Sequence, residues 1–293
     1  MMEFEVVSTQ KECRELWEKF SSKGILWDLW DYRICFHDEN FRFNFILGIE
    51  DNSNVGLLPL VYDRKECYYT YFGGEFPEQN KFFLNDKALL PQFLERCPKG
   101  TEILYIDSEE SSYYDFQPVE KRYFLNLKKH GSSFDRFIGS FTKKHRKNIR
   151  YDLKKLQERN YKILHNAMHA YETFVELSKK RFGKESNYHD ENFAISMGKL
   201  VSTAEKMKLL DIISVEIGKV MEAVGLGVIY NRCYYVVGVA RNTDIKNLGK
   251  LLIAEHIKSA IAHNCDEIDF LSTESKWKEL WNLDSEQMYS FVC

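Results

Sequence analysis

At 293 residues, 44% hydrophobic and 29% charged, with only 15 glycines and 5 prolines, the chain has the composition of a folded globular protein and the length for two domains of roughly 130 to 160 residues. Its 41 Lys and Arg against 44 Asp and Glu leave a net charge of −3, which excludes a surface built as a whole for nucleic acid and confines polyanion binding to a local patch. Seven cysteines, odd in number, widely spaced and without a Cys-x-x-Cys pair, argue against a zinc site and a disulfide framework.

In chain order, Ser8-Thr9 with Glu12 reads as a helix cap before Cys13, Leu16, Trp17 and Phe20 at helical spacing. A meander follows: Phe43–Ile49, a turn at Asp51–Asn54, Val55–Tyr62, a second turn, and Cys67–Phe72, broken by Gly73-Gly74. A helix from Asp86 to Leu94, opened or interrupted by Pro91, precedes a strand at Glu102–Ile106. The order then recurs. A basic helix near Lys143–Glu158, a strand at Tyr161–His165 and helices over Ala170–Arg181 and Glu191–Lys206 lead to a meander of Leu209–Ile217, Val220–Tyr230 and Cys233–Ala240. A helix from Leu248 to His263 and a strand at Glu267–Leu271 close it. The repeated order suggests a duplication with two halves, 1–126 and 127–293.

Meander, helix, strand does not suit a nucleotide-binding sheet of alternating strands and helices. It suits an α/β fold with a mixed sheet, in which an antiparallel meander meets one parallel strand through a crossover helix. The helix N-terminus at that join presents unpaired N–H groups to an anion.

The segment Asp244-Ile245-Lys246-Asn247-Leu248-Gly249-Lys250 occupies this join. It resembles the coenzyme A pyrophosphate loop of GNAT acyltransferases (Gln or Arg, two residues, Gly, any residue, Gly or Ala), with Gly249 at the second small position, Asn247 in place of the first Gly and Asp244 in place of the Gln or Arg. Further pieces are Leu57-Leu58-Pro59-Leu60, Phe72-Gly73-Gly74, Lys144–Arg150 leading to Leu156, and Ile268-Asp269-Phe270-Leu271 followed by Trp277-Lys278-Glu279-Leu280-Trp281. Together they resemble the tandem GNAT proteins of the CelD/BcsL type, themselves similar to Fem peptidoglycan aminoacyltransferases, over nearly the whole length. The resemblance implies two tandem GNAT-like domains, the first degenerate, and an acetyl- or other acyl-coenzyme A thioester as co-substrate. It places the lysine matching Lys278 beside the reacting acyl group.

Acyl transfer to an amine needs a held thioester and donors for the oxyanion, and no metal. Lys278 is the candidate cation for that oxyanion, its alternative a solvated lysine. Asp269 and Glu222 are general-base candidates, Asp269 also as an orienting group for Lys278; the alternative for Asp269 is an outward-facing strand residue. Val237, Val239, Ala240, Asn247, Leu248, Gly249 and Lys250 are the expected donor contacts, and Tyr234 a phenol on the strand beside them. Arg146, Arg150 and Lys154 recur every four residues as a charged stripe for an acceptor, or as an ordinary solvated face. His165, His256 and His263 are read as structural.

The expectation is therefore a cytoplasmic N-acyltransferase, without membrane insertion, acting on an amine of a small molecule, a sugar or a cell-envelope precursor that enters between the halves. The rivals are an aminoacyl-tRNA-dependent transferase and an inactive GNAT-fold binding module.

Overall fold

Three of the turns carry positive φ at both central residues: 50° and 59° at Asp51-Asn52, 59° and 69° at Gly218-Lys219, and 45° and 62° at Asn231-Arg232. Paired positive φ gives a turn whose twist matches that of the strands it joins, so each of these three turns closes a tight hairpin. The computed structural model describes residues 2–272 and 276–293. They cluster into two units, one of residues 2–122, 272 and 285–293, the other of residues 123–271 and 276–284.

In the first unit β1 (Glu3–Val7), α1 (Gln10–Phe20), α2 (Trp30–Arg33), β2 (Phe41–Glu50), β3 (Ser53–Asp63), β4 (Tyr68–Tyr71), β5 (Phe83–Leu84), α3 (Leu90–Leu94) and β6 (Glu102–Ile106) follow in order. β1 to β4 form an antiparallel sheet in sequence order, with β5 also on β3. Helix α1 starts where the Thr9 hydroxyl accepts from the Glu12 amide, and it buries Trp17 edge-on against Tyr71, Phe72 and Phe83. The Arg33 guanidinium is buried over the Trp17 and Tyr71 rings and donates to the carbonyls of Trp27, Phe72 and Gln79 and to Asn80 Oδ1, which satisfies a charge that burial would otherwise penalise.

Strand β7 (Gln117–Asn126) carries the chain into the second unit, where α4 (Phe134–Gly139), α5 (Lys143–Gln157), β8 (Lys162–His165), α6 (Ala170–Phe182), α7 (Glu191–Lys206), β9 (Leu210–Ile217), β10 (Val220–Tyr230), β11 (Cys233–Arg241), α8 (Leu248–Ala262), β12 (Glu267–Asp269) and α9 (Lys276–Leu280) follow. β8 to β11 are antiparallel neighbours, β12 is parallel to β11, and the end of β7 is antiparallel to β12. The sheet is mixed, as the element order requires, and α8 is the crossover. The last strand, β13 (Asp284–Val292), lies antiparallel to β6. No helix among the described residues is long and apolar enough to cross a membrane.

Asp107, just beyond β6, has a side chain 15% exposed and sits 3.6 Å from Lys81 Nζ. Burial, only partly offset by Lys81 and Arg122, pushes its carboxyl up to about 6. The folded chain then holds a proton that the unfolded chain has released above an ordinary carboxylate pKa near 4. Stability from this group is therefore present at low pH and lost as pH rises through about 6, by up to about 3 kcal/mol. Asp107→Asn should gain stability relative to wild type between about pH 4 and 7 in urea titrations; a difference that does not change with pH would contradict the buried carboxyl.

Candidate functional site

Strand β11 is paired with β12 only from Cys233 to Tyr235, opposite Glu267 to Asp269. From Val236 to Arg241 it runs on with no strand on that side among the described residues. On its other side the register with β10 slips between Leu226, opposite Gly238, and Gly227, opposite Val236, which leaves Val237 as a bulge. Such a bulge increases local twist and disrupts pairing at that point. Val237 and Ala240 are buried, and Val239 packs into the core around Ile253 and Leu252.

Helix α8 begins at the open end of this strand. Asn247, its N-cap, is in the left-handed region at φ 71° and makes no side-chain cap. That conformation suits Asn, one of the few residues other than Gly that tolerate it. The first acceptor bond of the helix is Leu251 N–H to the Asn247 carbonyl, so the N–H groups of Leu248, Gly249 and Lys250 have no partner within the helix. A side chain at Gly249 would meet Arg241, whose Nε lies 3.2 Å from the position of a Cβ. The Arg241 side chain makes no hydrogen bond or ion pair with any described residue. Arg181, from the end of α6, donates to the Val239 carbonyl at 3.5 Å, and burial and then the charge of Arg241 hold it below its ordinary value. Two cations and three N–H groups thus meet at one helix start, an arrangement that favours an anion. Lys250 turns elsewhere, to Asp152 on α5 at 2.5 Å.

At the other end of the unpaired stretch, Asp269 is 1% exposed and Lys278 3% exposed. Neither is the solvent-facing residue that period and residue type would allow. The Asp269 carboxylate accepts from the Leu271 amide at 2.7 Å, Leu271 is left-handed at φ 60°, and its carbonyl accepts from Lys278 Nζ at 2.9 Å. The ammonium lies 4.9 Å from the centre of the Tyr123 ring. Asp269 therefore orients Lys278 through one backbone unit.

Other expected residues stand apart. Glu222 is the bulged residue of β10 between Met221 and Ala223, near the level of Arg241, about 20 Å along β11 from the level of Asp269 at about 3.3 Å per residue. It holds the start of the α8 loop, accepting from Asn242 Nδ2 at 2.8 Å, and is not assembled with Lys278. Tyr234, expected as a phenol on the strand beside the donor, is fully buried because its side chain points into the core, where its hydroxyl meets Asp211 and His256. Arg146 folds back to the Gly139 carbonyl at 2.7 Å and so closes the turn between α4 and α5, while Arg150 is exposed. Arg181 and Arg241 were not singled out from the sequence; Arg241 sits at the strand end immediately before the loop, a position that marks it. Among the described residues no group of three or more His, Cys, Asp or Glu is placed to hold a metal ion.

Residues 143–279, just under half of the chain, match the family described as Acetyltransferase (GNAT) domain. That stretch runs from α5 through the α8 loop to Lys278. Among solved structures the chain is similar to FemX, with a TM-score of 0.64 at 11% identity over 99% of this chain and 97% of that one. It is similar to a tandem GNAT protein from the clavulanic acid biosynthesis pathway, with 0.58 at 8% over 99% and 97%. A third is L-PGS from Bacillus licheniformis, with 0.59 at 8% over 97% and 91%. No curated protein matches the chain in sequence. The fold is that of these GNAT and Fem-type neighbours, and with the domain match it supports an acyltransferase.

The left-handed cap can be tested directly. Asn247→Gly should keep or slightly raise stability, whereas Asn247→Val should lose roughly 1–2 kcal/mol by urea unfolding. Equal stabilities for the two variants would contradict the conformation.

Proposed function

We propose that the chain is an N-acyltransferase that moves an acyl group, acetyl in the simplest case, from a coenzyme A thioester to an amine on a small molecule, a sugar or a cell-envelope precursor. The observation that carries this reading is the start of α8, where the Arg241 guanidinium has no hydrogen bond or ion pair among the described residues and three N–H groups have no partner within the helix. A donor diphosphate on Asn247–Lys250 would occupy it and relieve the repulsion between Arg181 and Arg241. The acyl arm would follow the unpaired edge of β11 along Val237, Val239 and Ala240, toward Asp269 and Lys278.

There the neutral amine attacks the thioester carbon; the C–N bond forms, the C–S bond breaks, and the amine's proton leaves to the thiolate or to water. Lys278, oriented by the Leu271 carbonyl and behind it by Asp269, supplies positive charge to the developing oxyanion. Glu222 fixes the loop and takes no part in proton transfer. In this reading residues 127–293 hold the donor, residues 1–126 are a degenerate GNAT-like half, and the work is done in the cytoplasm. Two likenesses support the donor: the resemblance of the sequence to CelD/BcsL-type proteins, and the similarity to the tandem GNAT protein, whose structure is described as being without AcCoA.

One observation favours a second reading. Lys143, Lys144, Lys147, Arg150, Lys154 and Lys155 are all exposed on α5, a cationic face suited to an aminoacyl-tRNA donor in the Fem manner.

Calorimetry with acetyl-coenzyme A decides the donor. Wild type should bind, and Arg241→Ala should weaken binding by about 10-fold or more, the worth of a charge-assisted hydrogen bond. Gly249→Val should abolish it by pressing on Arg241 and blocking the N–H groups. No binding by wild type, or equal binding by both variants, would remove coenzyme A from the site and leave the tRNA reading to be tried.

For the chemistry, Lys278→Met should lower kcat by about 100-fold or more with little change in donor affinity, since a cation aimed at the oxyanion acts in the transition state. Near wild-type turnover on an identified amine would return Lys278 to a structural role.

A further inference from the structure

The sheet of the first unit ends in a strand with one free side. Strand β1 stands at the outer end of the order β1-β2-β3-β4 and pairs only with β2 among the described residues. An edge strand directs alternate N–H and C=O groups away from its neighbour, and no other backbone bond from a described residue reaches Glu3–Val7. Val6, in this strand, is 63% exposed.

A groove of about 540 Å³ runs beside β1, touching Glu5, Val6 and Val7 in succession. Neighbouring side chains of a strand point to opposite faces, so a groove that meets three in a row follows the edge of the sheet and not one face. Its opposite wall is α1, which contributes Glu12, Glu15, Leu16 and Lys19. Val7 and Leu16 are half-buried against the core of the unit and give the groove an apolar floor.

Its charged groups are mostly acidic and little used. The side chains of Glu5 and Glu15 make no hydrogen bond or ion pair with any described residue, and Glu12 accepts from the Thr9 hydroxyl at 2.6 Å through one oxygen. The Lys19 ammonium lies 5.8 Å from the centre of the Phe20 ring. Three carboxylates against one ammonium leave the groove two negative charges at neutral pH. Arg96 is engaged over the Phe4 ring at 5.1 Å, and Phe4 does not line the groove.

A free strand edge takes an extended segment through main-chain hydrogen bonds, and the pockets beside it select the side chains. Here the floor suits apolar side chains, and a Lys or Arg opposite Glu5 would gain a cross-strand pair where an acidic residue would be repelled. A second copy of this chain is a poor occupant, since β1 against β1 brings the same carboxylates together. We propose that the edge of β1 and its groove bind, as an added strand, an extended segment of a partner protein in which Lys or Arg alternates with apolar residues. The site lies within the first unit and does not rest on the identity of the acyl donor or acceptor.

The test is an amide-resonance titration of the nitrogen-15-labelled chain with the peptide acetyl-Lys-Val-Lys-Val-Lys-amide. Amides of Glu3–Val7 should shift and gain protection from hydrogen exchange, and those from Glu12 to Lys19 should shift, while acetyl-Glu-Val-Glu-Val-Glu-amide leaves all of them in place. The basic peptide with alternate backbone nitrogens methylated should bind about 10-fold or more weakly, because it lacks donors for the strand edge. Glu5→Lys combined with Glu15→Lys should weaken the unmodified peptide by about 10-fold or more. Both positions are exposed, so the urea midpoint of that variant should stay near wild type and exclude unfolding as the cause. Amides that ignore the basic peptide, an equal response to the acidic one, or undiminished binding by the methylated peptide or the variant would overturn the proposal. Shifts of the β1 amides with protein concentration alone would overturn it in favour of a second copy.

Discussion

Everything around the start of α8 in the second unit depends on where β11 loses its parallel neighbour. β12 is three residues long and stops opposite Tyr235, while β11 continues to Arg241. Two features hold the strands to that short pairing. The bulge at Val237 breaks the ladder on the β10 side, and the left-handed Leu271, fixed by the Asp269 carboxylate, turns the chain out of β12. A longer β12 would pair the edge of β11 and close the approach to the helix start. The length of one short strand thus decides whether there is a site.

The face of the sheet under α8 is shaped by a different constraint. A Cβ on Gly225 would lie 2.1 Å from His256 Nε2, and one on Gly227 would lie 2.1 Å from the Tyr234 hydroxyl. The two glycines make room in the middle of β10 for a buried Asp211, Tyr234 and His256 cluster that no larger side chain would permit. Burial pushes His256 down to about 4, so its imidazole is neutral at physiological pH and shares the hydroxyl of Tyr234 without adding charge to the core.

Much of the second unit was legible because its local signals agree with its tertiary fate. The helix Glu191–Lys206 and the strand Val220–Tyr230 have the bounds that capping, periodicity and turn residues give them. The expected Glu267–Leu271 strand ends instead at Asp269, because a side chain intervenes and sets Leu271 left-handed. β1, β7 and β13 escaped notice: Glu3, Glu5, Glu120, Lys121, Asp284 and Glu286 interrupt their apolar alternation, and pairing partners far along the chain override it. Of the proposed site, the α8 loop and Lys278 were marked by resemblance. The split between Glu222 and Asp269 was not, since both sit in strands with no sequence clue to which end of the sheet they face. Nor does sequence show that Tyr234 points inward, because its alternation with Tyr235 fits either face.

These features converge on α8. Its first turn is fixed from outside the helix by Glu222, which grips Asn242 through a side-chain and a backbone bond, and by Asp152, which takes Lys250. Its last turns are fixed by Ser259 on Asp211 and by His256 on Tyr234. A helix held at both ends cannot rotate to aim its free N–H groups elsewhere, so the anion site proposed there needs no rearrangement when charge arrives. Preorganised donors in a partly buried setting are worth more than the same groups in water, because their reorganisation is already complete. This also accounts for the imperfect loop sequence: with the helix position set by contacts outside the loop, the loop itself must supply only a left-handed residue at 247 and open space at 249, and Asn and Gly meet those two demands.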